Sequence, residues 1–589
     1  MNRGYDSLLA ELLRRRPTFV AFAAYIWSLP MAISLSGALA AAFPGVRIIF
    51  GGPEASFAAP ELLQAHPWIE AVVRGEGEAT FEDLLNRILA GSALEGIPGL
   101  SLRVGGGIRQ EPDRPLLDPL DSLPSPFQMG LFGRGTGFTY YESTRGCPYR
   151  CAYCLSSVLG PLRAFSLERV KADLDWFFQS DFTQVRFADR TFNQNPRRAA
   201  AIVEHILRGN QRQMGFHFEL KADALEDAFI DLLAEAPPGM FHLEIGVQST
   251  HMPTLEAVNR VSDLERLTAT VHRLREKTRC HIHLDLLAGL PKEDFSAFRR
   301  SLDDGFRMRP TTIQVGLVKV LKGTALEESV QRGELAYAPS PPYAVVRSAW
   351  LRPEEIVTIQ EIGKLVEGVH NPGRFANSLR FLIRRAFAGS PALFFERLAG
   401  FWRTTGRLFH SFGPEGVTQG LLEFARGLTL APPIETGFEA LLQHDFRLTQ
   451  KVPSGRPGPV PTFPRSGVPP RWKLAPGLRV FWYPVDILAL LQSDETTDQA
   501  AEEAPAPAIY GYETDLSMVP RTRSLDLPLA ERLVLAFVAK DVAPDRFVEA
   551  AGMIPGRTFS PEVWPKALDA AREKGFVWSV DHPRPPRGS

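Results

Sequence analysis

The sequence is poor in cysteine, with four in 589 residues. That is too few for a disulfide framework in a chain of this length. It also lacks an excess of charge: 66 Lys and Arg stand against 67 Asp and Glu, for a formal net charge of −1. This balance argues against a protein that grips nucleic acid through a broad basic surface, and no nucleic-acid partner is expected. There is no internal repeat, and 49 prolines and 48 glycines are too few for a fibrous chain. A hydrophobic content of 44% with 23% charged residues excludes wholesale disorder. Length alone allows roughly three or four domains of about 150 residues.

One uncharged run, residues 17–46, is 30 residues long, more than the roughly 20 that span a bilayer. Ser28, Pro30, Ser34, Ser36, Gly37 and Pro44 interrupt it. It reads instead as a buried strand (19–24), a loop (25–29) and a small-residue helix (30–43), so no membrane span is expected. Glu11 and the arginines at 14–16 argue against a secretory signal. The expected compartment is cytoplasmic and reducing, which suits unpaired thiolates.

Residues 5–90 alternate helix and strand: helices at 5–15, 30–42, 59–65 and 78–90, strands at 18–24, 46–50 and 70–73. This pattern predicts an open α/β layer with a parallel sheet. Two strands end in glycine-rich loops, Gly51-Gly52-Pro53-Glu54 and Gly75-Glu76-Gly77-Glu78. In doubly wound sheets ligands bind beyond such strand ends, although tight turns alone also explain the glycines. Residues 97–126 read as a short β excursion and a proline-marked linker. A second α/β series follows, with strands at 138–144, 184–188, 215–220, 241–247, 280–286 and 311–318. Its helices are expected at 167–178, 197–208, 264–277 and 295–308. Six βα units predict a partial or full barrel, with its chemistry at the C-terminal ends of the strands.

Beyond about residue 345 the pattern is helical, at 353–369, 374–388, 391–404, 414–427 and 433–444. Residues 453–470, with seven prolines, and the acidic stretch 495–508 read as linkers. A strand is expected at 478–483. The tail reads as helices at 529–541 and 562–574 and a strand at 576–580. The domain boundaries are 1–125, 126–345, 346–490 and 491–589.

Cys147, Cys151 and Cys154 lie within eight residues, directly after the first strand of the second series. Three thiolates from one loop can share one face of an iron–sulfur cluster and leave one iron open. A structural zinc site is the rival reading. It wants four ligands, and neither a second cysteine pair nor a nearby histidine completes the set. Cys280 falls on an expected strand and reads as an inert buried thiol. His217, His281 and His283 read as satisfied core histidines on apolar strands.

The C-x3-C-x2-C spacing, with Tyr153 before the last cysteine, resembles the radical S-adenosylmethionine (SAM) superfamily. Later segments agree: Phe187–Asn193, Phe216–Glu219, Leu243–Ser249, His283–Pro291 and Val318–Thr324 are similar to successive family strands. The stretches at 20–28, Gly51–Ser56 and Arg74–Glu78 resemble the cobalamin-binding domain that precedes the barrel in one large class. The region around Trp350, Leu351 and 371–375 resembles an uncharacterised C-terminal domain found in part of that class. Two departures stand out. The chain begins almost at the helix that follows the opening strand of such domains, and no D-x-H-x-x-G motif supplies a lower cobalt ligand.

The resemblance implies an N-terminal doubly wound, Rossmann-like cobalamin domain, a partial (β/α)6 barrel and a mostly helical C-terminal domain. It implies a 4Fe–4S cluster on Cys147, Cys151 and Cys154, S-adenosylmethionine on the open iron, and cobalamin. The implied reaction is reductive cleavage of S-adenosylmethionine to a 5′-deoxyadenosyl radical, followed by methylation of an unactivated carbon. The implied cofactor-binding residues are Tyr153, Glu219, Glu244, Gln248 and Ser249 in the barrel, and Gly51, Gly52, Tyr25 and Trp27 in the N-terminal domain. Glu219 has an alternative as an ion-pair partner of Lys221. Gln248 and Ser249 have one as satisfied strand ends, Tyr25 and Trp27 as core aromatics. Asp189 and Glu244 point to the same rim, or orient Arg190. A reducing partner such as flavodoxin or ferredoxin is expected, and the substrate is unknown. Two other functions remain open: a rearrangement or cyclisation with a vestigial N-terminal domain, and a non-enzymatic iron–sulfur redox sensor.

Overall fold

The structure is a computed structural model that describes residues 4–133, 135–409 and 412–449, with short segments beyond at 472–474, 479–482, 507–514, 520–525, 566–567, 569–570 and 577–579. Residues 1–363 form one compact unit and the chain from 364 onward another.

In the first unit, β1 (Phe19–Ala23), β2 (Arg47–Gly51), β3 (Ala71–Val73), β4 (Leu100–Val104) and β5 (Gly107–Gln110) form one sheet in chain order. β1, β2 and β3 are parallel, whereas β4 and β5 pair antiparallel, so the sheet is mixed rather than wholly parallel. The antiparallel turn follows from length: the link from β4 to β5 is a two-residue Gly105-Gly106 hairpin, too short for a crossover. Helices Leu29–Ala42 and Ala59–Ala65 pack on Ile48, Phe50 and Val72 of one face. Helix Glu78–Leu89 packs through Leu84 on Ile49, Val73 and Leu100 of the other. The uncharged run at 17–46 is thus β1, a turn and a helix. Among the described residues no helix is long and apolar enough to cross a membrane.

The second sheet contains β6 (Gly137–Tyr141), β9 (Phe182–Phe187), β10 (Gly215–Leu220), β11 (Phe241–Gln248), β12 (His281–Ala288) and β13 (Thr312–Leu317), all parallel and in chain order. β6 and β13 are its two edges, which makes it a half-barrel. Between β6 and β9 a two-residue ladder, β7 (Thr144–Arg145) with β8 (Arg163–Ala164), closes the neck of the cysteine loop. One face of the sheet is apolar. Phe216, Phe218, Phe241, Ile245 and Ile282 are buried beneath the helices, each contributing roughly 1.5–3 kcal/mol. The alternate residues line the inner face and are mostly polar. Helices Leu167–Phe178, Pro196–Gly209, Leu264–Lys277 and Phe295–Arg307 fill the crossovers. A hairpin of Leu335–Tyr337 and Val345–Ser348, absent from the sequence reading, follows β13.

In the second unit helices Ala376–Ala386, Pro391–Thr404, Pro414–Arg426 and Pro432–Thr449 enclose Phe394, Phe395 and Phe438. Asp445 ties the bundle by accepting from Ser378 N, Ser378 Oγ and Asn377 Nδ2, each at 2.8 Å. Strands at 479–482 and 577–579 occur where expected. The linker at 453–470 and the helix at 529–541 lie outside the described residues. So does the linker at 495–508, except its last two residues, which open strand Pro507–Thr514.

Candidate active site

The cysteine loop leaves the sheet at β6 and is held at several points. Asp189, just beyond β9, accepts Ser143 N and Thr144 N at 2.8 Å each, together with the Ser143 hydroxyl. It therefore caps the turn into the loop and does not orient Arg190. Burial pushes its carboxyl up to about 6 against those hydrogen bonds. Gly146 has φ +84°, and a Cβ there would lie 2.2 Å from Pro161 O. Further along, Ala152 N donates to Val258 O (2.9 Å) and Leu326 N donates to Ala152 O (3.0 Å).

Cys147, Cys151 and Cys154 all carry free thiols. Burial raises the Cys147 thiol, and the nearby Cys154 and Cys151 add to this. Cys147 Sγ lies 4.0 Å from Thr191 Oγ1. Arg260 reaches across from the link between helices Met252–Ala257 and Leu264–Lys277. It donates to Gly246 O and Tyr153 Oη (3.3 Å), and its Nη1 lies 3.9 Å from Cys151 Sγ. Among the described residues no three His, Cys, Asp or Glu side chains converge on a point that would hold one metal ion. A cluster spreads its protein ligands over separate irons, so three free thiols on one pinned loop are a donor set that fits it.

Inside the half-barrel two cross-strand rows run above one another. One is Tyr140, Arg186, His217, His242 and His281; the next is Glu219, Glu244, His283 and Thr312. His217 Nε2 lies 2.8 Å from Glu244 Oε2, and His242 Nε2 lies 3.2 Å from His283 Nδ1. His283 Nε2 is 3.3 Å from Asp285 Oδ1. The histidines therefore face a polar interior, which corrects the reading of them as apolar-strand core. His217, 2.8 Å away, holds Glu244 low, at about 2. Burial, with Glu244 nearby, pushes Glu219 up to about 7 despite Arg190. Burial and the surrounding imidazoles push His242 down to about 3.

Glu219 pairs with Arg190 (3.6 Å), not Lys221. Lys221 lies past the strand end and bonds Asp223 instead. Gln248 sits at an irregularity that ends β11, with φ +69°. Its amide folds over Gly246, where a Cβ would lie 2.4 Å from Gln248 Nε2. Ser249 points the other way, fully buried, and donates to Glu293 Oε1 (2.6 Å). It supports the rim from behind and does not line it. Cys280 is buried with a raised thiol pKa, as expected of an inert thiol.

At the C-terminal edge of the first sheet, Tyr25 and Trp27 stack with ring centroids 4.9 Å apart and planes 7° apart. They are 41% and 76% exposed, so they are not core aromatics. Gly51 ends β2. Gly52 has φ +90°, and a Cβ there would meet Ala24 O at 2.8 Å. Exposed flat rings beside closely approached backbone fit a large planar ligand. Arg260, His242, Glu293 and Asp285 escaped the sequence reading. For His242 and Asp285 the signal was present, as alternate polar residues in His242-x-Glu244 and His283-x-Asp285.

Comparison with known proteins agrees with this geometry. Residues 141–304 match the radical SAM superfamily, residues 1–85 a B12 binding domain, and residues 333–460 a family of unknown function, DUF4080. The cobalamin-dependent radical SAM methyltransferase TokK of Streptomyces tokunonensis is 26% identical over 301 residues, 48% of this chain and 44% of that protein. An uncharacterised methyltransferase of Pyrococcus horikoshii is 32% identical over 225 residues, 36% of this chain and 48% of that protein. The chain thus spans about half the length of these curated relatives. The cobalamin-dependent S-adenosylmethionine radical enzyme OxsB, with aqua-cobalamin bound, shares the fold at a TM-score of 0.51 and 14% identity, over 76% of this chain and 78% of OxsB.

Proposed function

We propose that this chain, in which a B12-binding domain precedes a radical SAM domain, is a cobalamin-dependent radical SAM enzyme that methylates an unactivated carbon. The observation that carries the reading is the free Cys147–Cys151–Cys154 trio on a loop pinned over the open end of a polar half-barrel. When bound, the cluster and cobalamin supply, respectively, the electron that cleaves S-adenosylmethionine and the methyl group to be transferred. The protein's own residues bind and orient. Cys147, Cys151 and Cys154 hold the cluster, and Arg260 fixes the loop against β11. Tyr153, Glu219, Glu244 and Gln248 line the space beneath it for the cationic co-substrate. Ser249 supports that rim from behind. Gly51, Gly52, Tyr25 and Trp27 form the corrin face. The electron comes from a small reductant such as flavodoxin or ferredoxin.

The test is anaerobic purification with hydroxocobalamin, desalting, and incubation with dithionite and S-adenosylmethionine. Expected are iron and corrinoid in the protein and formation of 5′-deoxyadenosine. Cys147→Ala, Cys151→Ala and Cys154→Ala should each abolish the nucleoside. An intact cluster that yields no 5′-deoxyadenosine would overturn the reading in favour of a redox sensor. Nucleoside without bound corrinoid would leave a radical enzyme of another reaction type.

A further inference from the structure

The two glycine-rich loops of the first sheet carry acidic side chains that the cofactor reading leaves without a task. Glu76, in the loop after β3, accepts from both Nη atoms of Arg163 and from Leu117 N (3.1 Å). Arg163 also donates to Leu117 O at 2.6 Å. Arg145 Nη1 lies 3.8 Å from Glu76, and Arg145 Nη2 donates to Glu78 Oε1 at 2.6 Å. Arg145 and Arg163 are register partners, the last rung before the loop that holds all three cysteines. Their side chains are largely buried. The carboxylate, the two guanidinium groups and the backbone of residue 117 thus form one closed network at the neck of the cysteine loop.

A second contact works in parallel. Glu54, in the short helix Pro53–Phe57 after β2, is buried and accepts the hydroxyl of Tyr343, in the turn of the hairpin that follows β13. Phe57, at the end of the same helix, packs against Gly323, between β13 and helix Leu326–Gln331; a Cβ on Gly323 would clash with its ring. Both loops are therefore fastened to the half-barrel, one at the cysteine-loop neck and one beyond β13.

An exposed ion pair would hold little and be screened by salt. This one is bidentate, shared with a backbone amide, and partly buried, which makes it directional and costly to break. We infer that Glu76 is a positioning residue: it locks the loop after β3 to the neck of the cysteine loop and so fixes the corrin face against the cluster. What it aligns rests on the proposed cofactors; the clamp itself does not.

Hydrogen exchange of the purified full chain tests the clamp without cofactors. In Glu76→Ala, peptides covering 144–164 should exchange about tenfold faster, and those of β12 no faster. Glu76→Asp should recover part of that protection, and Arg163→Ala should loosen the same peptides. Unchanged exchange at 144–164 in Glu76→Ala would overturn the inference. If Glu76→Ala instead loosens the whole chain, faster exchange confined to 144–164 in Glu76→Asp supports the clamp, and exchange there equal to wild type refutes it. In anaerobic protein loaded with hydroxocobalamin and reduced, electron paramagnetic resonance should show the interaction between the cobalt and cluster spins altered by Glu76→Ala. Iron and corrin are measured in the same samples. A wild type that binds neither cofactor would defeat the proposed function, while the exchange result would still decide the clamp.

Discussion

Glu293 offers a test of the barrel's electrostatics that needs no substrate. It is almost fully buried between β12 and helix Phe295–Arg307. Its Oε1 accepts from Ser249 at 2.6 Å, while Oε2 has no partner among the described residues. Burial pushes its carboxyl up to about 8, against the Ser249 hydrogen bond and with help from Asp294. The folded chain therefore holds a proton here that the unfolded chain releases near the ordinary 4.5. Below that pH both states are protonated and Glu293 makes no difference. From there up to about 8 the unfolded state gains relative to the folded one, so local stability falls as pH rises. The slope is at most about 1.4 kcal/mol per pH unit, and the whole effect is on the order of 4–5 kcal/mol.

Glu293→Gln removes the slope. Its amide hydrogens meet no acceptor where Oε2 meets no donor, so the variant carries a cost of about 1–3 kcal/mol at every pH. The chain divides into two units and does not invite a two-state analysis, so the assay is hydrogen exchange in peptides spanning 244–251. After correction for the intrinsic pH dependence of exchange, wild type should be the better protected at pH 4.5, where the unfolded state has released only about half of its proton. By pH 8 the variant should equal or exceed it. Parallel profiles for the two proteins would refute the assignment of a neutral acid at this position.

Gly52→Ala places a methyl group against the Ala24 backbone at a positive φ, a strain of about 1–3 kcal/mol at the proposed corrin face. Bound corrinoid, read by absorption after cyanide treatment, should fall severalfold while iron per chain is unchanged; equal corrin loading would count against that face. Arg260→Met removes the donor shared by Gly246 O, Tyr153 Oη and the Cys151 thiol, on the order of 2–3 kcal/mol of charge-assisted hydrogen bonding. Its iron–sulfur absorption should bleach in air several times faster than that of wild type, and an identical rate would remove Arg260 from the loop's support.

The parts of this architecture that the sequence made legible are those written in local order. The cysteine trio sits within one loop, so its spacing alone shows that three thiols can share a cluster. Strands and helices of the half-barrel were readable because apolar runs and caps repeat at short range. Ser166, Asn195, Asp263 and Asp294, for example, each accept the backbone N–H three residues on and open a crossover helix. Errors arose where a side chain had a choice of faces. His217 and Glu219 alternate with Phe216, Phe218 and Leu220, and a period of two places the polar members on the inner face. Treating the whole strand as apolar hid that. The alternative Glu219–Lys221 pair would need the strand to continue, whereas it ends at Leu220 and turns into the short helix Ala222–Ala224.

The long-range partners were illegible for a different reason. Arg260 meets Cys151 across 109 residues, Arg163 meets Glu76 across 87, and Tyr343 meets Glu54 across 289. No local pattern marks an arginine or tyrosine for such a task, since each is equally at home on a solvated surface. The two classes of information also differ in what they govern. Local patterns build the loops that would carry cluster and corrin, and the distant pairs fasten those loops to the half-barrel. A substitution at Cys147 should therefore remove a cofactor outright. One at Glu76 should leave the neighbouring strands intact and loosen the neck of the cysteine loop, because its carboxylate holds Arg163 bidentately while Glu78 bonds only Arg145.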